Sequence, residues 1–535
     1  MLSELQDARL HFQPKLPKIL ENIHLANLIR NSDSHPCSSQ IANLFPKTSQ
    51  QPLFHIGKDE KIPHPATPLR VGVVLSGGQA PGGHNVISGL FDALKALHPE
   101  SSLIGFLNGP TGIITNQWIE ITEALLAGYR NQGGFDIIGS SRTKIETEEQ
   151  FRAAEKTARD NRLDGLVVVG GDDSNTNAAL LAEFFLAAGC HTRVVGVPKT
   201  IDGDLQSDLI EISFGFDTAC KVYAETIGNL MCDGLSAKKY YCFIRLMGRS
   251  ASHITLECAL KTHPNMAIIS EEVAAEKKTL SGIVESLCDL ICARASAGKN
   301  YGVILIPEGL IEFIPEVNIL IDELNTHLSQ KDLTHKDVTG LLSPAAQATF
   351  SILPQSIQEQ LLIGRDPHGN VQVSRIETEQ MLIDMVQAAL KKRAASGMYK
   401  GKFDSISHFC GYEGRSALPS NFDSQYCYAL GRVAAILLKS GLTGYICYLN
   451  HLSSPVDSWQ AGGIPLTQLM HLEKRGGKSV PVIRKTLVDL DGKAFSFFKT
   501  HRARWATKDE YLAPGPIQFY GPSTLTDSVP CFLTL

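Results

Sequence analysis

From residue 70 onward, short runs of consecutive apolar residues alternate with helix-length stretches in which apolar positions recur every three or four residues. The run VGVVLS at 71–76 predicts a buried strand that passes into the glycine-rich turn GGQAPGGHN. Val86, Leu90, Leu94 and Leu97 then stand at helical spacing. The unit recurs: Thr147 with Gln150 three residues later carries a capping-box signature for a helix to about Asn161, and LDGLVVVGG at 163–171 predicts another buried strand ending in glycines. A helix near Ser174 and the strand RVVGVP at 193–198 complete this set. Strands that are apolar on both faces and alternate with helices require a parallel sheet covered on both sides.

A second set of strand signals comprises YYCFIRLMG at 240–248, MAIIS at 266–270, YGVILIPEG at 301–309 and GYICYL at 444–449. Between about 310 and 400 they fade, and Leu382, Met385, Val386 and Ala389 stand at i, i+3, i+4 and i+7, which predicts a helical insertion. Near the start, KIPHPATPLR at 61–70 holds three prolines and predicts an extended linker. The expected fold class is α/β, with two doubly wound, Rossmann-like lobes. The expected division is an N-terminal extension at 1–68, a first lobe at 69–238, a second lobe from 239–309 and 401–480, the helical insertion at 310–400, and a C-terminal segment at 481–535 packing back on the lobes.

A chain of 535 residues is long enough for about three domains with substantial cores. A formal charge of −5 with no block of like charges offers no basic surface for nucleic acid. The twelve cysteines lie between Cys37 and Cys531 without CxxC or finger-like spacing, which predicts reduced, mostly buried thiols; Cys288 and Cys292 are neighbours on one helix face. No apolar run approaches 18 residues and the first residues lack a signal-peptide core, so the expected setting is cytoplasmic, with no membrane partner. There is no internal repeat or low-complexity tract.

In doubly wound sheets, ligands sit beyond the carboxyl ends of the strands, so the loops after each strand carry the candidate chemistry. The first, Gly77-Gly78-Gln79-Ala80-Pro81-Gly82-Gly83, lets the backbone approach an anion at a helix N-terminus, although a glycine-rich turn without a ligand fits equally well. The second, Gly170-Gly171-Asp172-Asp173-Ser174, sets two carboxylates side by side. They suit Mg²⁺ completed by waters and phosphates, or simply the first turn of the following helix. The third, Pro198-Lys199-Thr200-Ile201-Asp202-Gly203-Asp204, puts a lysine, a hydroxyl and two carboxylates within seven residues. One carboxylate can deprotonate a hydroxyl nucleophile, the other can hold a metal, and the lysine can neutralise phosphate. The fourth group comprises Met247-Gly248-Arg249, Pro307-Glu308-Gly309 and Gly411-Tyr412-Glu413-Gly414-Arg415. Its arginines suit bidentate phosphate recognition and its glutamate suits sugar hydroxyls, while each alone also reads as a surface ion pair. His84 and His253 read as ordinary polar or core histidines beside helices.

GGQAPGGHN, GGDDS, PKTIDGD, MGR, PEG and GYEGR occur in the order and approximate spacing of the phosphofructokinase family, and the chain resembles its long, pyrophosphate-dependent form over about residues 69–480. The resemblance implies phosphoryl transfer between pyrophosphate and fructose 6-phosphate with Mg²⁺, in a homodimer. It makes the first lobe the pyrophosphate and metal lobe and the second the fructose 6-phosphate lobe. Asp202 matches the family's general base, Asp172 its metal-binding aspartate, and Asp204 a second metal contributor. Gly78 and Arg142 match donor-phosphate positions. Thr200, Ile201, Met247, Gly248, Arg249, Glu308, Tyr412, Glu413, Gly414 and Arg415 match the sugar-phosphate site, and Arg249 also matches a stabiliser of transition-state charge.

ATP-using relatives carry glycines where this chain has Asp173 and Lys199. A carboxylate adds bulk and negative charge where a nucleotide's α-phosphate would pass, and an ammonium suits compact pyrophosphate, so both are expected to act in catalysis by setting donor choice. Where a neighbouring subunit supplies an arginine in bacterial ATP enzymes, this chain reads Ala237-Lys238-Lys239-Tyr240-Tyr241, which leaves Lys239 with Tyr240 to serve. A second arginine expected before GYEGR is replaced by Lys402 and His408. The rival readings are an ATP-dependent kinase on the same fold and a non-catalytic regulatory subunit that binds sugar phosphate.

Overall fold

Apolar β-branched runs form the strands, and the first two of them come from the N-terminal extension. In the computed structural model, which describes residues 4–31, 37–58, 67–328, 340–363, 370–475, 478–517, 527 and 529–535, the strands in chain order begin with β1 (Ala26–Arg30), β2 (Phe54–Lys58), β3 (Arg70–Leu75), β4 (Ser102–Phe106) and β5 (Trp118–Glu120). They continue with β6 (Gly165–Gly170), β7 (Arg193–Pro198), β8 (Tyr240–Leu246), β9 (Met266–Ala267), β10 (Tyr301–Pro307) and β11 (Ser405–Cys410). The last are β12 (Tyr445–Asn450), β13 (Gln460–Pro465), β14 (Met470–Arg475) and β15 (Lys478–Ile483). Most of the expected proline-rich linker lies outside the described residues.

The chain divides into two compact units, residues 1–219 with 412–486 and 517–534, and residues 220–411 with 487–516 and 535. The first is built on a nine-stranded sheet in the order β1-β2-β13-β12-β7-β6-β3-β4-β5. Its centre is parallel, with Leu75 opposite Val169 and Gly170 opposite Pro198, and its ends are antiparallel. Strand order reverses between β3 and β6, because β4 follows β3 on one side and β6 lies on the other. Val74, Ile104, Leu166, Val168 and Ile446 are buried in its core beneath the helix Asp172–Ala187. Thr147 and Gln150 form the expected capping box for the helix Glu148–Asp160.

The second unit carries a four-stranded sheet, β11-β8-β10-β9, parallel throughout. Helices of the 310–400 segment share its core: Val317, Leu320, Phe350, Leu382 and Val386 cluster with Phe243, Ile304 and Ile306. On β8, Arg245 pairs with Glu379 of the helix Thr378–Ala395 at 2.6 Å and lies 4.0 Å from the Phe409 ring centroid. The helix Leu280–Ser296 carries both Cys288 and Cys292, and among the described residues the cysteines form no disulfide. Residues of 487–516 are tied into this unit by Arg502 on Glu272 at 2.7 Å and Arg294 on Asp509 at 2.8 Å.

Two expectations are corrected. GYICYL belongs to the first unit, not to a second lobe at 401–480: β12 runs parallel to β7, with Tyr445 opposite Val195, and Gly444 N–H donates to Val194 O at 2.8 Å. A strand buried on both faces looks the same in either sheet, and periodicity does not say which edge it joins. The strand that completes the second sheet is β11, whose sequence SISHFC mixes polar and apolar residues because it is an edge strand with exposed positions. The boundary expected at 238/239 falls instead at 219/220, inside the helix Phe216–Ala237. Among the described residues no helix is long and apolar enough to cross a membrane.

Candidate active site

Because β3, β6 and β7 are adjacent and parallel, the loops that follow them leave the first unit's sheet at one edge, at the point where strand order reverses. Ser76 N–H still donates to Val169 O at 2.8 Å, and Lys199 N–H to Gly170 O at 2.9 Å, so the three loops begin in register. Ser174 Oγ donates to Ser76 Oγ at 2.8 Å and ties the GGDDS loop to the first glycine loop.

Lys199 is the centre of this arrangement. Its ammonium donates to Gly78 O at 2.8 Å while the residue is only 6% exposed. Burial pushes its pKa down to about 8; Arg415 and Arg142 push the same way, and Asp202 and Asp172 oppose them. The Arg415 guanidinium lies so close to Gly78 that a Cβ there would stand 2.6 Å from Nη1, with Arg142 Nη2 at 3.9 Å. Any side chain at this position would push the Arg415 guanidinium away from the loop backbone. Among the described residues, Arg415 Nε is buried without a hydrogen-bond partner. A buried guanidinium donor without an acceptor, beside an open glycine loop, is chemistry prepared for an anion.

The acids are arranged around it. Asp202 N–H donates to Thr200 Oγ1 at 3.1 Å, which shapes the turn, and Ile201 is buried beneath it. Asp202 Oδ1 is buried and, among the described residues, has no hydrogen-bond donor, the condition of a carboxylate oxygen able to accept a proton. Asp204 is 5% exposed, and its pKa is raised well above the usual carboxylate range by burial and then by Asp202 and Asp172, with Lys485 opposing. Asp172 and Asp173 open the helix Asp172–Ala187 two residues before the expected start, so both lie where the helix dipole favours negative charge. Asp173 pairs with Lys144 at 3.3 Å and Asp172 with Lys485 at 3.7 Å.

Among the described residues no group of three or more His, Cys, Asp or Glu is placed to hold a metal ion. Asp204, buried, nevertheless lies within electrostatic reach of Asp172, and two carboxylates are as many as a hard cation takes from protein when waters and substrate phosphates complete its shell.

Tyr412, Glu413, Gly414 and Arg415 form the short helix Tyr412–Ser416 of the first unit; Tyr412 is 69% exposed, and its ring centroid is 5.8 Å from the Arg415 guanidinium. In the second unit, parallel β8 and β10 end together, with Leu246 opposite Pro307, which sets Met247-Gly248-Arg249 beside Glu308-Gly309. Glu308 N–H donates to Leu246 O at 2.8 Å, and Glu308 and Met247 are buried whereas Arg249 is exposed. Gly309 makes this approach possible: a Cβ there would stand 1.8 Å from Arg249 O. Lys239 is exposed on its turn, its ammonium 4.9 Å from the Tyr240 ring centroid, and Tyr240 has φ 71°. The structure thus gathers Gly78, Arg142, Asp172, Lys199, Asp202, Asp204 and Arg415 within the first unit, and Met247, Gly248, Arg249 and Glu308 at one sheet edge of the second.

Four residues escaped sequence reasoning. Asn175 is buried and donates to Gly170 O at 2.6 Å and Gly171 O at 3.0 Å, bracing the GGDDS loop; its only signal is a polar residue inside a helix. Asp423, fully buried, accepts from Gly215 N–H at 3.0 Å and Thr218 N–H at 2.9 Å, and so anchors the chain that returns from the TIDGD loop. Lys144 ends the GSSRTK segment that drew attention to Arg142, but no role attached to it there. Lys485 is remote in sequence from every glycine loop.

A profile of the phosphofructokinase family matches residues 70–436. The chain is 53% identical over 526 residues to the protein named pyrophosphate–fructose 6-phosphate 1-phosphotransferase subunit beta 1 of Arabidopsis thaliana, covering 98% of this chain and 92% of that one. It is 52% identical over 547 residues to pyrophosphate–fructose 6-phosphate 1-phosphotransferase of Treponema pallidum, with coverage of 98% and 96%. A solved structure described as a pyrophosphate-dependent phosphofructokinase of Nitrosospira multiformis superposes with a TM-score of 0.55 at 15% identity, over 86% of this chain and 96% of that one, a likeness of fold. Glycine loop, paired aspartates and TIDGD turn stand at one sheet edge inside the matched span, and full-length relatives share half of the positions, so this chain belongs to the phosphofructokinase family.

Proposed function

We propose that this protein reversibly transfers a phosphoryl group from pyrophosphate to the 1-hydroxyl of fructose 6-phosphate, giving fructose 1,6-bisphosphate and phosphate, as a Mg²⁺-dependent homodimer of the cytoplasm. The observation that carries the reading is Lys199, a buried ammonium bound to the Gly78 carbonyl beneath two arginines, where ATP-using relatives are expected to have glycine. The names of the full-length relatives support the same donor and acceptor.

In this reading Asp202 Oδ1 takes the proton of the sugar's 1-hydroxyl as that oxygen bonds to the near phosphorus of pyrophosphate. The bridging P–O bond breaks, and its electron pair leaves on inorganic phosphate. Lys199 and Arg142 hold the charged oxygens of pyrophosphate in place at the Gly78 loop, and catalysis of this kind is mostly positioning and charge neutralisation. Asp172 and Asp204 would hold the Mg²⁺, which supplies charge screening of the phosphates. Thr200, Ile201, Met247, Gly248, Arg249, Glu308, Tyr412, Glu413, Gly414 and Arg415 bind the sugar phosphate, Arg249 also countering transition-state charge, and Lys239 with Tyr240 serves the neighbouring subunit. Asp173, held by Lys144, excludes nucleotide by charge and bulk.

The test is an aldolase-coupled assay that offers pyrophosphate or ATP separately with fructose 6-phosphate. Turnover with pyrophosphate and little with ATP is expected; the reverse, or no turnover with either, refutes the proposal.

A further inference from the structure

Lys485 reaches the acids through a segment clamped at both ends. On one side Ile483 N–H donates to Thr176 Oγ1 at 3.0 Å, on the helix that begins with Asp172. On the other, Thr486 N–H donates to Asp204 O at 2.8 Å, and Thr486 Oγ1 donates to Gln206 O at 3.2 Å. Lys485 lies between these clamps, with its ammonium 3.7 Å from Asp172 Oδ2 and a favourable electrostatic interaction with the Asp204 carboxylate. The hairpin β14–β15 that delivers it pairs Met470 with Ile483, and Arg484 N–H donates to Leu469 O at 3.1 Å, so the approach is fixed by backbone bonds and not by the side chain alone.

An ammonium built in beside two metal carboxylates has two consequences. A free divalent cation meets acids whose charge is already offset and a like charge at close range. A divalent cation that arrives bound to pyrophosphate brings enough negative charge to turn the same ammonium into a partner. Resting on the assignment of Asp172 and Asp204 as the metal carboxylates, we propose that Lys485 is their resident counter-cation, which disfavours the bare metal ion and favours its entry as the metal–pyrophosphate complex.

The test measures Mn²⁺ binding to the full-length protein by electron paramagnetic resonance, alone and with imidodiphosphate as a non-transferring pyrophosphate analogue. Lys485→Met is expected to tighten binding of free Mn²⁺ by roughly tenfold and to weaken binding of the Mn²⁺–imidodiphosphate complex by about the same factor. Lys485→Gln, which keeps a polar side chain in the strap, is expected to repeat both signs, and Lys485→Arg to stay near wild type. A merely structural role weakens both affinities together, and that result, or no change in either, overturns the inference. Asp172→Asn separates the two layers. If it weakens Mn²⁺ binding while Lys485→Met does not tighten it, the inference alone fails. If Asp172→Asn leaves Mn²⁺ binding unchanged, the metal assignment fails and the inference with it.

Discussion

Replacing Lys199 by methionine is expected to make the ligand-free protein more stable and a poorer binder of pyrophosphate at the same time. Burial and the neighbouring arginines lower the native pKa of Lys199 from 10.5 to about 8. At ~1.4 kcal/mol per pH unit, holding it charged at pH 7 costs roughly 3 kcal/mol of folding free energy. Methionine removes that cost and gives up one hydrogen bond to Gly78 O, about 1 kcal/mol, for a net gain of ~2 kcal/mol. The cost of a lysine whose native pKa lies below its unfolded value is fully present below the native value, shrinks as pH rises from about 8 toward 10.5, and vanishes above it. Equilibrium urea unfolding of wild type and Lys199→Met without ligand, at pH 7 and at pH 9.5, therefore shows the variant ahead at the lower pH and the gap narrowed at the higher. Isothermal titration with pyrophosphate shows the opposite ranking, with affinity lower by roughly tenfold to a hundredfold for the loss of a charge-assisted bond. A variant that is less stable at pH 7, a gap that widens with pH, or undiminished pyrophosphate affinity refutes the assignment of Lys199 as a strained cation held for the donor.

Other substitutions probe the remaining parts. Asp202→Ser is expected to lower kcat by ~10²–10⁴ while leaving dissociation constants for pyrophosphate and fructose 6-phosphate nearly unchanged, and unaltered steady-state turnover removes its role as base. Asp173→Gly combined with Lys199→Gly weakens pyrophosphate use and admits ATP; the coupled assay with each donor checks this, and full pyrophosphate activity in the double variant counts against the account of donor choice. Gly309→Ala drives a methyl into Arg249 O, costing about 1–3 kcal/mol in thermal or urea unfolding and displacing Arg249, so KM for fructose 6-phosphate rises while pyrophosphate affinity holds. A stable Gly309→Ala enzyme with wild-type kinetics refutes the link between that close approach and the sugar site.

The sequence revealed what is local. VGVVLS, LDGLVVVGG and RVVGVP are strands because continuous β-branched runs suit a sheet covered on both faces, and the Thr147 cap is set by residues three apart. The loops carrying Gly78, Asp172 and Asp202 were legible for the same reason: strand, glycine turn and polar residues follow one another within a few positions. What escaped is non-local. Which sheet receives β12 depends on the path of the helix Asn421–Lys439 and not on the six residues of the strand. Lys485 and Asp423 meet the site from more than 200 residues away, through a hairpin and a helix whose own patterns say only that they are folded. Asp172 and Asp173 satisfied both readings at once, as helix-opening acids and as acids facing cations, so spacing alone could not choose between them.

The position of β12 has a consequence for biosynthesis. Its slot lies between β7 and β13, so a ribosome that has delivered residues 1–219 has made β3, β4, β6 and β7 but left β7 with a bare apolar margin. Some 225 further residues must emerge before that margin is sealed, and until then it invites pairing with other nascent chains. A gene fragment that stops at the apparent end of the first lobe therefore yields a sticky, incomplete sheet, and any dissection of this protein into expressible pieces must carry residues 412–486 along with the N-terminal half.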